Sequence, residues 1–557
     1  MIESITLKFG AATGQPAVRL DVAPVTVFVG PNNSGKSKVL QELNYACSNG
    51  SCPASNLILN DISFQQFEPQ QQVNIRDRCV LTARRTETIN QGNILVGRDN
   101  IRQQVAESTF TQCLANPNSQ KSHFAQWVLR PYTLMLNGNN RLNAIKQQKA
   151  TDLQQPSQNF LDILFRDDSK RLEVRRIAHE AFGKYFVVDP TSLGNLRIRY
   201  SEVEPSSDHQ ERGIHDDAVQ FHANAEDVAL TSDGVKAFTG IITQIIAGDP
   251  SVMLIDEPEA FLHPALSYKL GREIAISAAQ SNKRLFVSTH SSNFIMGCVQ
   301  SGAPINIVRL TYLNGVATAR TLPKDKLLSL MRNPLLRSTG VLDGLFYESV
   351  IVTEADADRA FYEEVNSRLL RFNPTRGIPN CLFLNAQNKT TIHQIINPLR
   401  ALGIPAAGIV DVDILKDGGK NWTDFLSGGY VPDVSHAGLG QIRSTLRKCC
   451  DDSGKEMKRD GGINVLGTNE REAAENLFGQ LATYGLFVVQ GGELESWLRH
   501  LGATGHGPKW LIETFEKMGE DSDSPGYAKP VSDDVWGFIE SVGTWLKDPR
   551  RRGIPAT

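Results

Sequence analysis

Short apolar runs that end abruptly in polar or acidic residues recur along the chain. Val25-Thr26-Val27-Phe28-Val29 runs into a glycine-rich loop, Ser251 to Ile255 stops at Asp256-Glu257, and Arg284 to Thr289 stops at His290. Similar runs follow at Ser349–Thr353, Cys381–Asn385, Ala407–Val412 and Leu486–Gln490. Short runs rich in β-branched and aromatic residues, without polar alternation, predict strands buried on both faces. Between them the apolar positions recur with helical spacing, at Lys36–Ala46, Val235–Ile246, Ala357–Leu370 and Thr391–Leu402. Strand–helix alternation of this kind predicts mostly parallel sheets with helices on their faces, an α/β architecture.

The pattern is weaker between about 50 and 230. Polar, Gln-rich and Asn-rich pieces interrupt it, with helices expected at Ile101–Ala115 and Leu172–Gly183. We read this stretch as a largely helical insertion, a candidate dimerisation element, carried by an N-terminal domain of residues 1–345. A second domain, 346–557, takes the later strands and ends in a helical segment with a basic tail. The length of 557 residues exceeds one ordinary domain.

Composition adds exclusions. With 40% hydrophobic and 21% charged residues the chain reads as globular, and no run of about eighteen apolar residues predicts a membrane span. Eight scattered cysteines without Cys-x-x-Cys spacing argue against a zinc site or a disulfide framework and place the protein in the cytoplasm. A net charge of -3 does not announce nucleic acid, so any DNA surface has to be a local patch.

Two sets of residues carry chemistry. Gly30 to Ser37 fits G-x-x-x-x-G-K-[ST] and lies between a predicted strand and helix, the context a phosphate-binding loop requires. Backbone amides around Asn33 and Gly35 point at phosphate oxygens, Lys36 reaches the β- and γ-phosphates, and Ser37 ligates Mg²⁺. Asp256 holds the same ion through water, Glu257 orients the attacking water, and His290 senses the γ-phosphate, although a lone histidine there also reads as a helix cap. The basic pair Arg84-Arg85 is a candidate for phosphate or DNA, or a solvated pair.

The second set is acidic. Glu354 ends one apolar strand, and Asp358 follows at one helical turn. Asp411 and Asp413 end another strand, two residues apart and so on one face. Hard carboxylate oxygens gathered at one sheet edge suit Mg²⁺ or Mn²⁺, and such ions activate phosphodiester cleavage. Each acid taken singly also reads as a loop or cap residue.

These motifs resemble known families. Gly30–Ser37, Thr231-Ser232-Asp233-Gly234, Asp256-Glu257-Pro258-Glu259 and Ser288-Thr289-His290 resemble the Walker A, signature, Walker B and switch-histidine order of ABC-type ATPases. The branch it is similar to includes SMC-like and OLD (overcoming lysogenization defect) proteins. Thr231 and Asp233 depart from the usual Leu-Ser-Gly-Gly signature. The resemblance implies that Ser232 and Gly234 complete the ATP site of another subunit, hence a homodimer or higher homo-oligomer.

Glu354 after one strand and Asp411-x-Asp413 after another resemble a Toprim domain, and the combination is similar to OLD-family nucleases. That implies Glu354, Asp358, Asp411 and Asp413 around one metal and Glu493 and Glu495 at a second. The second metal has further candidates in Asp451, Asp452, Glu456, Glu470 and Glu472. It also implies a catalytic lysine, Lys529 first and Lys509 second. The implied activity is an ATP-regulated DNA endonuclease in anti-phage defence, with a retron reverse transcriptase and its RNA–DNA product as a candidate partner. The rival reading is an SMC-like clamp that binds DNA without cutting it. No long heptad-bearing coiled coil separates the Walker A loop from the signature, which weighs against that rival.

Overall fold

The computed structural model describes the whole chain except residues 13, 85, 86, 99, 100, 139, 156, 282, 314, 556 and 557; Arg85 of the basic pair therefore lies outside the described residues. The chain divides into two compact units, Met1–Leu328 and Ser329–Thr557.

The first unit is built on a six-stranded sheet. Its strands are Val25–Val29 (β1), Thr133–Leu136 (β2), Val252–Asp256 (β3), Arg284–Ser288 (β4), Ile305–Leu313 (β5) and Val316–Leu322 (β6), in the spatial order β6-β5-β1-β4-β3-β2. All neighbours are parallel except the β5–β6 hairpin. Every residue of β1 is buried, as an uninterrupted apolar run requires when helices cover both faces. The helices Lys36–Asn49 (α1) and Asp233–Ile246 (α2) follow the phosphate-loop and signature segments. Residues Asp256 and Ser288 are paired across β3–β4, and Ser288 pairs with Phe28 across β4–β1. Three strand ends therefore finish level, and the residues after them share one edge.

The 50–230 stretch is not largely helical, and part of it is not an insertion. Strand β2 is the edge of the main sheet, and Leu59–Phe64 pairs with the N-terminal strand Ile2–Leu7. Tyr185–Asp189 and Asn195–Ser201 form a further antiparallel pair. The expected helix from Ile101 begins only at Glu107. Residues Ile101–Ala106 instead form a strand against Asn93–Arg98. The β-rich run Ile94-Leu95-Val96 captures the next extended segment before the helical preference of Arg102, Gln103 and Gln104 can act. The predicted helix at Leu172–Gly183 is present as Asp168–Phe182. There Arg171 and Arg175 share the fully buried Glu211, at 3.0 and 2.5 Å.

The second unit holds a four-stranded, all-parallel sheet. Its strands are Ser349–Thr353 (β7), Cys381–Asn385 (β8), Ala406–Asp411 (β9) and Leu486–Val489 (β10), in the order β8-β7-β9-β10. Helices Asp356–Phe372 (α3), Ile392–Ala401 (α4) and Asp534–Lys547 (α5) belong to the same unit. Val352 pairs with Gly408, and Asp411 with Val489, so Glu354, Asp411 and the residues after Val489 emerge at one edge. Ligands of open parallel sheets bind at this carboxyl-terminal edge. Among the described residues, no helix is long and apolar enough to cross a membrane.

Candidate functional site

At the edge of the first unit, Gly35 takes a left-handed conformation (φ 95°) at the start of α1, and Asn33 is exposed with φ 61°. The buried Lys36 donates from Nζ to the carbonyls of Gly30 (2.8 Å) and Pro31 (2.6 Å). Burial lowers its pKa to about 8, against the pull of Glu257, Asp256 and Glu259. Ser37 Oγ donates to Asp256 Oδ1 at 2.9 Å, and Ser288 Oγ donates to the same oxygen. A serine hydroxyl beside an aspartate at the head of a phosphate loop is a donor set that fits Mg²⁺.

Glu257 sits in the left-handed region at φ 50°, a conformation that costs a β-carbon-bearing residue of order 1 kcal/mol or more and tends to mark functional positions. It is pinned on both sides: its N–H donates to Ser288 O at 2.9 Å, and its carbonyl accepts from Arg141 Nη1. His290 Nε2 lies 3.7 Å from Glu257 Oε1, and the His290 N–H donates to Glu259 at 2.7 Å. Burial, then the Lys36 charge, lowers the His290 pKa, which favours the neutral imidazole beside the phosphate loop.

The structure thus brings Lys36, Ser37, Asp256, Glu257 and His290 together. Ser232 is exposed and caps α2 by accepting from Val235 N, while Gly234 packs against the Phe261 carbonyl. Arg141 was not legible beforehand. It is 1% exposed on a short 3-10 turn, and only the tertiary path brings it to Glu257.

The second unit gathers acids. Oxygens of Glu354, Asp411 and Asp413 lie within 4.8 Å of one another, as do ligand atoms of Glu493, Glu495 and His506. The Asp411 N–H donates to Glu354 Oε1 at 2.8 Å. Asp358 is not one of the three converging acids. It caps its own helix by accepting from Ala355 N, although Asp411 and Glu495 are near enough for their charges to act on it. Two lysines enter: Lys458 Nζ is 2.7 Å from Asp411 and 3.9 Å from Glu493, and Lys389 Nζ is 2.7 Å from Asp413 and 3.2 Å from Asp417. His506 Nδ1 is 2.7 Å from Glu495.

Sequence reasoning missed Lys458, Lys389, Asp417 and His506, which come from loops and short turns without periodic signal. The expected lysine is corrected. Lys529 places its ammonium 5.6 Å from the Phe372 ring centre, at the far end of α3. Fourteen residues separate Phe372 from Asp358, about 21 Å of helix. Lys509 lies on Pro508–Met518, just after Gly507, whose N–H donates to Glu495 at 2.6 Å. None of Asp451, Asp452, Glu456, Glu470 and Glu472 belongs to either convergent group.

The donor set fits a hard divalent cation on two grounds. Three carboxylates face one point, and Asp413 Oδ1 is buried with no hydrogen-bond partner among the described residues. Burial, reinforced by the Asp411 charge, raises Glu354 well above the carboxylate range and Asp358 to about 7. Without a cation the folded state therefore keeps protons that the unfolded chain releases near pH 4. The folded state binds more protons across that window, so its stability falls as pH rises from about 4 to 7 and beyond. In chelator the melting temperature is expected to drop by at least about 3 °C between pH 5.5 and 8. The drop should flatten in Glu354→Gln and be reversed by Mn²⁺. A Glu354→Gln profile identical to wild type would contradict this.

Comparison with known proteins bears on the first unit. Residues 141–296 match a family described as "AAA domain, putative AbiEii toxin, Type IV TA system", a span that holds Ser232, Asp256, Glu257 and His290 but not Gly30–Ser37. The chain carries an ATPase domain of the P-loop type. No curated protein matches the sequence. Solved structures that match include an SMC head bound to the C-winged helix domain of ScpA. It is 16% identical with a TM-score of 0.32, over 59% of this chain and 99% of that one. The SMC head domain from Thermotoga maritima is 12% identical with a TM-score of 0.30, over 58% and 99%. An SMC head with an extended coiled coil, bound to the C-terminal domain of ScpA and derived from Pyrococcus furiosus, is 13% identical with a TM-score of 0.31, over 59% and 98%.

Proposed function

We propose that this protein is an ATP-regulated, metal-dependent DNA endonuclease of the OLD type, with a nucleotide site in the first unit and a Toprim-like cleavage site in the second. The observation that carries the reading is the convergence of Glu354, Asp411 and Asp413 at the carboxyl edge of a parallel sheet, with an orphaned buried oxygen on Asp413. In the first unit, Lys36 and the loop amides bind the triphosphate, Ser37 and Asp256 hold Mg²⁺, Glu257 orients water and Arg141 keeps Glu257 in place. In the second, Glu354, Asp411 and Asp413 hold one divalent ion, and Glu493, Glu495 and His506 offer a second place. Ions bound there would polarise a phosphodiester and supply hydroxide. Lys458 and the exposed Arg459 beside it supply positive charge for the DNA backbone.

Ser232, exposed at the start of α2, and Gly234 beside it are read as completing the ATP site of a second copy, which makes the working form a homodimer or larger. A role in anti-phage defence, alongside a retron reverse transcriptase or another trigger, follows from the OLD resemblance and is congruent with the toxin named in the matched family.

Supercoiled plasmid incubated with the full chain and Mg²⁺ or Mn²⁺ is expected to yield nicked and linear products, and none in chelator. A ladder of relaxed topoisomers would indicate strand passage instead. Intact plasmid beside active ATP hydrolysis would favour a clamp that binds without cutting.

A further inference from the structure

We propose that the carboxylate site is gated by its own lysine: Lys458, seated on Asp411 and reaching toward Glu493, holds an oxygen that a divalent cation at Glu354, Asp411 and Asp413 needs, and must be displaced for the ion to bind. This rests on the reading of these acids as a cation site. Among the described residues Lys458 is the one side chain ion-paired with both acidic groups, through Asp411 of the first at 2.7 Å and Glu493 of the second at 3.9 Å. Burial opposes its charge, but Asp411, Asp413 and Glu354 together hold the ammonium charged.

Its placement is built by the backbone. Met457, immediately before it, is 1% exposed, and the Gly462 N–H donates to Met457 O at 2.8 Å. The Ile463 N–H donates to Gln490 O at 3.0 Å, tying this loop to the end of β10. A β-carbon on Gly492 (φ 128°) would stand 2.2 Å from the Lys458 carbonyl, so the loop lies backbone-to-backbone on the residue preceding Glu493. The loop is fixed, and the four-carbon stem is what can move. The Lys458 side chain is 29% exposed, which leaves it a route outward.

An ammonium and a divalent ion on the same Asp411 carboxylate repel one another. Loading the site therefore costs the Lys458–Asp411 pair, and apparent metal affinity is lower than the carboxylates alone would give. Once displaced, the ammonium remains at the rim, where a phosphate oxygen of the substrate becomes its new partner. Metal loading and substrate binding would then reinforce each other.

The test is a Mn²⁺ titration of the full-length protein without nucleotide, followed by the electron paramagnetic resonance signal of free Mn²⁺. Lys458→Met is expected to bind Mn²⁺ about tenfold more tightly than wild type, because a like charge has left the site. Asp411→Asn/Asp413→Asn should lose this binding. Unchanged or weaker affinity in Lys458→Met, with the double asparagine variant inactive in binding, overturns the gate and leaves the cation site standing. Undiminished binding in the double variant overturns the cation site itself. Should Lys458→Met fail to fold, Lys458→Arg serves, since its bidentate guanidinium grips Asp411 more firmly. It is expected to weaken Mn²⁺ binding several-fold, and equal or tighter binding overturns the proposal.

Discussion

Asp411→Asn/Asp413→Asn is expected to lower metal-dependent plasmid cleavage at least about a thousandfold while ATP hydrolysis stays near wild type. Asparagine keeps the shape and one carbonyl oxygen of each side chain but removes both charges that a hard cation needs. The two residues contribute oxygens to one point, and Asp413 Oδ1 has no hydrogen-bond partner among the described residues. Loss by misfolding is distinguishable. The double variant gives up the Asp411–Lys458 and Asp413–Lys389 pairs, so its melting transition is recorded beside its cleavage, and a cooperative transition reports a folded chain. Cleavage that survives in a stably folded double variant would remove these acids from the chemistry.

The second large effect belongs to the nucleotide site. Lys36→Ala should abolish ATP binding, whereas Glu257→Gln should keep binding and lower hydrolysis by about a hundredfold or more. The structure separates the two roles. Lys36 lies inside the loop on the carbonyls of Gly30 and Pro31, ready to exchange them for phosphate oxygens. Glu257 lies beyond the strand, beside His290, with its backbone clamped by Ser288 and Arg141. Hydrolysis by Glu257→Gln at the wild-type rate, measured by phosphate release, would assign the attacking water to another residue.

What the sequence made legible were features encoded over a few adjacent residues. An apolar strand followed by acids locates Asp256, Glu257, Glu354 and Asp411, because burial dictates the run and the sheet edge ends it. The phosphate loop was legible for the same reason. Thr133–Leu136 was not. Four residues of apolar character carry no period that separates strand from helix, and the partner strand lies more than a hundred residues on. Ile101–Ala106 was misread because pairing with Asn93–Arg98 overrides local propensity.

Arg141, Lys389, Lys458 and His506 reach their sites through loop paths that no local pattern records. Lys529 shows the opposite failure. The family resemblance placed it at the acids, whereas the intervening chain carries it to the far end of α3. The signature segment stays in between: Ser232 is legible as a motif, but the role proposed for it requires a second copy of the chain.

The claim on which the account turns is that the acids of the second unit hold a divalent cation. Crystals of the full chain soaked in Mn²⁺ and measured at the manganese absorption edge test it most directly. An anomalous peak bounded by Glu354, Asp411 and Asp413 is expected, with the Lys458 ammonium withdrawn from Asp411. Manganese at Ser37 and Asp256 alone, with Lys458 still seated on Asp411, would contradict it.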